Sequence, residues 1–155
     1  MKRIICIGNR YLAADAAGPR VFDCLAGQNL PDDVEIIDGG IAGLNLLGVV
    51  EGAARVVFVD AVSGYGEQNR VVVLTPDQVP PSTIVYDHAA GLPYLFSILP
   101  HVCDRMPEIY LVGVEGIPDN ETIADAAATS IGIAVSGPSV AGPAIYSGGY
   151  YDCTC

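Results

Sequence analysis

Apolar residues in this chain come in short blocks, and the polar or glycine-rich breaks between them alternate strand with helix. The first block, Arg3 to Ile7, reads as a strand and stops at Gly8-Asn9. A helix is expected from about Gly18 to Gly27. Pro19 stands at its first position, where a missing N–H is harmless, and Val21, Phe22 and Leu25 share one face. Strand two is Val34 to Ile37, followed by the glycine-rich turn Asp38-Gly39-Gly40-Ile41-Ala42-Gly43 and a second helix carrying Leu44, Leu47 and Val50. Strand three, Arg55 to Val59, is apolar at successive positions, as in a strand buried on both faces, and it closes on Asp60. The polar stretch Ser63 to Asn69 is too short for a helix, so strand four, Arg70 to Leu74, is expected antiparallel to strand three. Leu92 to Leu99 reads as a short helix bounded by Pro100, Glu108 to Val114 as strand five, and about Asn120 to Val135 as a final alanine-rich helix.

This alternation predicts an α/β three-layer sandwich: a mixed five-stranded sheet, strand four antiparallel, with helices on both faces. Residues 1–135 form the expected single domain. Residues 136–155, rich in Gly, Pro and Tyr, are expected to be a mostly irregular tail.

Composition narrows the function. Half of the 155 residues are hydrophobic (51%) and 16% are charged, which excludes wholesale disorder. No apolar run approaches the roughly 20 residues needed to span a bilayer, and the first block is too short for a signal-peptide core, so no membrane partner and a cytoplasmic location are expected. Net charge is −11, with no basic footprint for a phosphate backbone; nucleic acid is not an expected partner. The five cysteines are odd in number and lack a Cys-x-x-Cys pair, which argues against a disulfide framework; Cys6 and Cys24 read as core thiols.

Candidate chemistry gathers at the breaks. Asp60 ends an apolar strand, Asp15 follows strand one by one short loop, and His88 is one of two histidines. In open α/β sheets, ligands bind beyond the carboxyl ends of the strands. If the fold brings these three together, they form an oxygen, oxygen, nitrogen metal site at the sheet's rim, suited to nickel, zinc or cadmium. Each also has a plainer reading, Asp15 as a helix cap, Asp60 as a turn residue and His88 as a loop histidine. Asn9 could tie loops together, and Gly39 and Gly40 could let backbone lie close to an incoming peptide.

Taken in order, five segments resemble the hydrogenase maturation endopeptidases. Gly8-Asn9 to Val21 resembles the family's opening signature, Asp38 to Gly43 its Asp-Gly-Gly-x-x-Gly turn, and Val57 to Val62 its strand ending in Asp-Ala. Asp87 to Leu92 resembles its histidine segment and Leu111 to Glu115 its last strand. The resemblance spans about Arg3 to Glu115. It implies a twisted five-stranded sheet between helices and a protease that removes the C-terminal extension of the large subunit of [NiFe]-hydrogenase. The implied partner is the large-subunit precursor, and the implied metal is nickel carried by that substrate, with no resident organic cofactor. The catalytic and metal-contacting positions would be Asp15, Asp60 and His88; the substrate-binding positions would be Asn9, Asp38, Gly39 and Gly40. Ala14 and Ala16 depart from the family's second acid and glycine, which keeps open a non-cleaving, nickel-checking chaperone of the same fold. A nucleotide-binding domain is a weaker alternative, since no Gly-x-Gly-x-x-Gly follows strand one.

Overall fold

Each of the five apolar blocks is a strand: β1 (Lys2–Ile7), β2 (Val34–Gly40), β3 (Arg55–Val62), β4 (Val71–Leu74) and β5 (Glu108–Glu115). The computed structural model describes residues 1–41, 43–80 and 91–138. The strands form one sheet in the order β2-β1-β3-β5-β4. The first four in that order run parallel, and β4 pairs antiparallel with β5. Strand four thus has the expected direction, and its neighbour is β5.

The helices are α1 (Ala17–Ala26), α2 (Leu47–Val50), α3 (Gly91–Val102) and α4 (Asn120–Ser136). Successive side chains of a strand point to opposite faces, so the sheet divides the core in two. Ile4, Cys6, Val57, Val59, Val112 and Val114 pack with Val21 and Leu25 of α1 and the alanine-rich face of α4. Ile5, Val56, Phe58, Ile109 and Leu111 pack with Leu46, Val50 and the α3 residues Leu92, Leu95, Phe96 and Leu99. Phe58 and Phe96 meet edge to face with ring centroids 5.4 Å apart. The three-layer α/β architecture read from the sequence is the one observed.

Three boundaries and one cysteine differ from expectation. The Asp38-Gly39-Gly40 segment is the end of β2, not a turn. Ile7 pairs with Gly40 while Cys6 pairs with Asp38, so Gly39 is the extra residue of a bulge. β3 continues past Asp60 to Val62 because β5 still pairs with it there, Asp60 opposite Gly113. α3 runs through Pro100 instead of ending at it. Pro100 lies in the last turn and is exposed, where the one helical bond it removes is that to the Phe96 carbonyl. Cys6 is a buried free thiol, its pKa raised by burial, but Cys24 is disulfide-bonded, not a core thiol. The odd cysteine count argued against a framework of bridges, and one bridge is compatible with it.

At the amino ends of the strands, Arg55 donates to the carbonyls of Ile133 and Ala134 (3.0 and 2.9 Å) and Lys2 to that of Val135 (3.2 Å), so cations cap the carboxyl end of α4. Asp15, Asp38, Asp60 and Glu115 all stand at the opposite, carboxyl end.

Candidate active site

The chain leaves β1 by way of α1 to reach β2 on one side, and later places β3 on β1's other side. α1 and α2 cover opposite faces. The carboxyl ends of β1 and β3 therefore flank the point where the winding reverses, where open α/β sheets bind ligands. β1 ceases to pair with β3 after Cys6 opposite Val59, so Asp60 is the first β3 residue beyond β1's reach.

Asp15 comes to this place through two close approaches. A β-carbon on Gly8, which has φ +136°, would lie 2.1 Å from the Asp15 carbonyl oxygen. One on Gly18 would lie 2.0 Å from the Ile7 carbonyl oxygen. Only glycine lets the loop and the start of α1 press this tightly on the end of β1. The loop is also tied internally: the Asn9 N–H donates to Asp15 Oδ2 (2.8 Å), and Asn9 Oδ1 accepts from the Tyr11 N–H (3.0 Å). Asn9 thus fastens its own loop.

Asp15 and Asp60 are near enough to interact. The Asp60 carboxyl is pushed up to about 7, chiefly by burial and next by the Asp15 charge. One bond opposes the shift: the Ala61 N–H donates to Asp60 Oδ1 (2.8 Å) and favours the ionised form. An acid of this kind can hold or release a proton near neutrality, or give an oxygen to a metal whose charge repays its burial.

Asp38 has a different setting. It is exposed, accepts from the Gly40 N–H (3.1 Å), and pairs with Arg10 (3.3 Å). Arg10 also reaches Asp23 (3.3 Å) and so ties the β1 loop to both α1 and β2. Gly39 is buried beneath the rim, and the Gly40 carbonyl accepts from the Gly8 N–H (2.9 Å). His88 lies outside the described residues. Among those described, no three His, Cys, Asp or Glu side chains group into a metal site; Asp15 and Asp60 offer two oxygen donors. That donor pair suits a hard or borderline cation.

Sequence reasoning did not single out Arg10 or Glu115. Glu115 ends β5, is buried, and accepts from the N–H groups of Gly64 and Tyr65 (3.0 and 2.9 Å), so it fixes the loop that leaves Asp60's strand. Its only sequence signal was an acid ending a second apolar strand. Among the described residues, no helix is long and apolar enough to cross a membrane.

Comparison with known proteins places the chain by sequence and fold. Residues 19–133 match the family described as HycI: Hydrogenase maturation protease. The hydrogenase 2 maturation protease of Escherichia coli is 32% identical over 121 residues, which is 76% of this chain and 73% of that protein. Among solved structures, the hydrogenase maturating endopeptidase HybD from Escherichia coli superposes with a TM-score of 0.65 at 28% identity, covering 84% of this chain and 88% of that one. An endopeptidase from the same organism, solved in solution, gives a TM-score of 0.71 at 27% identity, covering 88% and 94%.

Proposed function

The chain belongs to the hydrogenase maturation protease family, and from that premise we propose that it removes the C-terminal extension of a hydrogenase large subunit after recognising the nickel which that substrate carries. The observation that supports this most is the pairing of Asp15 with Asp60 at the reversal point of the sheet, with Asp60 poised near neutrality. Asp15 and Asp60 supply oxygen ligands to the substrate's nickel, and His88 supplies the nitrogen. Three protein ligands leave open positions on the ion for groups of the precursor itself. Asn9, Asp38 and Gly40 form the wall along which the extension lies, and Gly39 supports it from beneath.

Hydrolysis needs a water deprotonated as it adds to the scissile carbonyl carbon, and a proton for the departing amine. A carboxyl near neutrality can take the first and deliver the second. In the free protein Asp60 has that property. As nickel arrives Asp60 ionises, one carboxylate oxygen going to the ion and the other left to take the water's proton and hand it to the departing amine, so the loaded substrate is distinguished from the empty one by a change of charge at one residue.

Mixing the protein with nickel-loaded precursor tests the reading. The expected result is a large subunit shortened at its C-terminus, seen by mass spectrometry, and no shortening by Asp60→Asn. Ala14 and Ala16 favour one other reading, a nickel-checking chaperone that binds the precursor without cutting it. In that case wild type leaves the loaded precursor intact, and Asp60→Asn only weakens the complex.

A further inference from the structure

Large apolar side chains are left in water at several places, Met1, Tyr94, Val102, Met106 and Ile117 among them, but the three most exposed of the described residues share one edge. Among the described residues, Tyr11 is 89% exposed, Leu12 57% and Ile41 76%. All three stand on the loops that follow β1 and β2, at the edge that carries Asp15 and Asp60. The two loops are fastened to each other by the Gly8 N–H to Gly40 carbonyl bond (2.9 Å) and by Arg10 reaching Asp38 (3.3 Å). The loops that carry the three side chains are therefore joined beside the reversal point. Leu44, 44% exposed, extends the surface toward α2.

Exposed apolar groups clustered at one place in a soluble domain mark a surface that a partner covers. The charges beside the cluster are satisfied locally, since Arg10 is shared between Asp23 and Asp38. The cluster is thus an apolar island on a chain of net charge −11. A second copy of the chain seated here would cover the crevice between β1 and β3. A polypeptide that must bring a bond to Asp60 has to pass over these same loops.

We propose that Tyr11, Leu12 and Ile41 form a docking surface for the folded body of the precursor, which presents an apolar patch beside its C-terminal extension. This rests on the proposed function and adds to it a recognition surface separate from the nickel. Docking by apolar burial also gives so acidic a protein a hold on its partner whose contribution salt does not screen.

The test compares wild type with Tyr11→Ser/Leu12→Ser/Ile41→Ser, all at exposed positions, and with Val102→Ser/Met106→Ser, exposed apolar residues of the opposite edge. Titration calorimetry with nickel-loaded precursor, each protein carrying Asp60→Asn so that the precursor is not consumed, reads the surface. Parallel cleavage assays give kcat and KM, and sedimentation gives the oligomeric state. The expected result is a Kd at least fivefold weaker for the triple variant, with kcat within twofold of wild type and no change for the control. A Kd shift below fivefold, an equal loss in the control, or conversion of a wild-type dimer to monomer with unchanged precursor affinity overturns the docking surface. Failure of wild type to shorten the precursor refutes the proposed function instead.

Discussion

Replacing Asp60 with Asn is expected to make the free protein more stable above neutral pH even as it removes the group proposed to serve cleavage. An ordinary aspartate releases its proton near pH 3.9, roughly the value in the unfolded chain. In the folded protein Asp60 holds its proton to about 7, because burial and the Asp15 charge disfavour the anion. Below about pH 4 the group is protonated in both states and contributes nothing. Between about pH 4 and 7 the unfolded chain gives up its proton and the folded one keeps it, so stability falls as pH rises; above about 7 the loss is complete. Three units at about 1.36 kcal/mol each set an upper bound of about 4 kcal/mol. The Asp60 side chain keeps some contact with water, so roughly 2 kcal/mol, about half of that bound, is the expected yield. Asparagine stays neutral and its oxygen can still accept from the Ala61 N–H. The assay is urea unfolding of both proteins at about pH 4 and about pH 8. The gap between them should widen by about 2 kcal/mol in the variant's favour at the higher pH; other titrating groups cancel in the difference. A gap that does not change with pH, or that favours wild type at the higher pH, refutes the reasoning. Asp15→Asn is a second arm: it should lower the Asp60 pKa yet leave it above the ordinary range, because burial is the larger cause.

Two further substitutions probe how the site is held. Gly18→Ala would set a methyl group 2.0 Å from the Ile7 carbonyl oxygen; a loss of about 3 kcal/mol is expected in denaturant unfolding, and an unchanged midpoint would contradict the close approach. Glu115→Ala would remove the acceptor of the Gly64 and Tyr65 N–H groups. A loss of about 3 kcal/mol and faster hydrogen exchange at those two amides are expected, and unchanged exchange would show that the loop is held in another way.

What the sequence revealed, and what it concealed, follows from how far each feature reaches along the chain. The apolar runs and the seven polar residues before Val71 are local, so strand identity and the direction of β4 could be read directly. Asp60 was conspicuous because an acid interrupts an apolar strand. The order of the strands was not legible, since it depends on which strands pair. That order is what makes the gap between β1 and β3 the reversal point and sets Asp15 beside Asp60. Asp38-Gly39-Gly40 has turn composition, but Gly40 still pairs with Ile7, so the strand absorbs the glycines as a bulge. Arg10 looked like an ordinary loop residue because Asp23 and Asp38, its partners, are 13 and 28 positions away.

The central claim is that Asp15 and Asp60 jointly receive the substrate's nickel. Crystals of the protein soaked in nickel or cadmium and measured at the metal's absorption edge test it most directly. The account predicts an anomalous peak within bonding distance of both carboxylates, at the crevice between the ends of β1 and β3, with the His88 imidazole completing the set. A well-occupied metal elsewhere on the molecule, with that crevice empty and the two carboxylates turned apart, would contradict it.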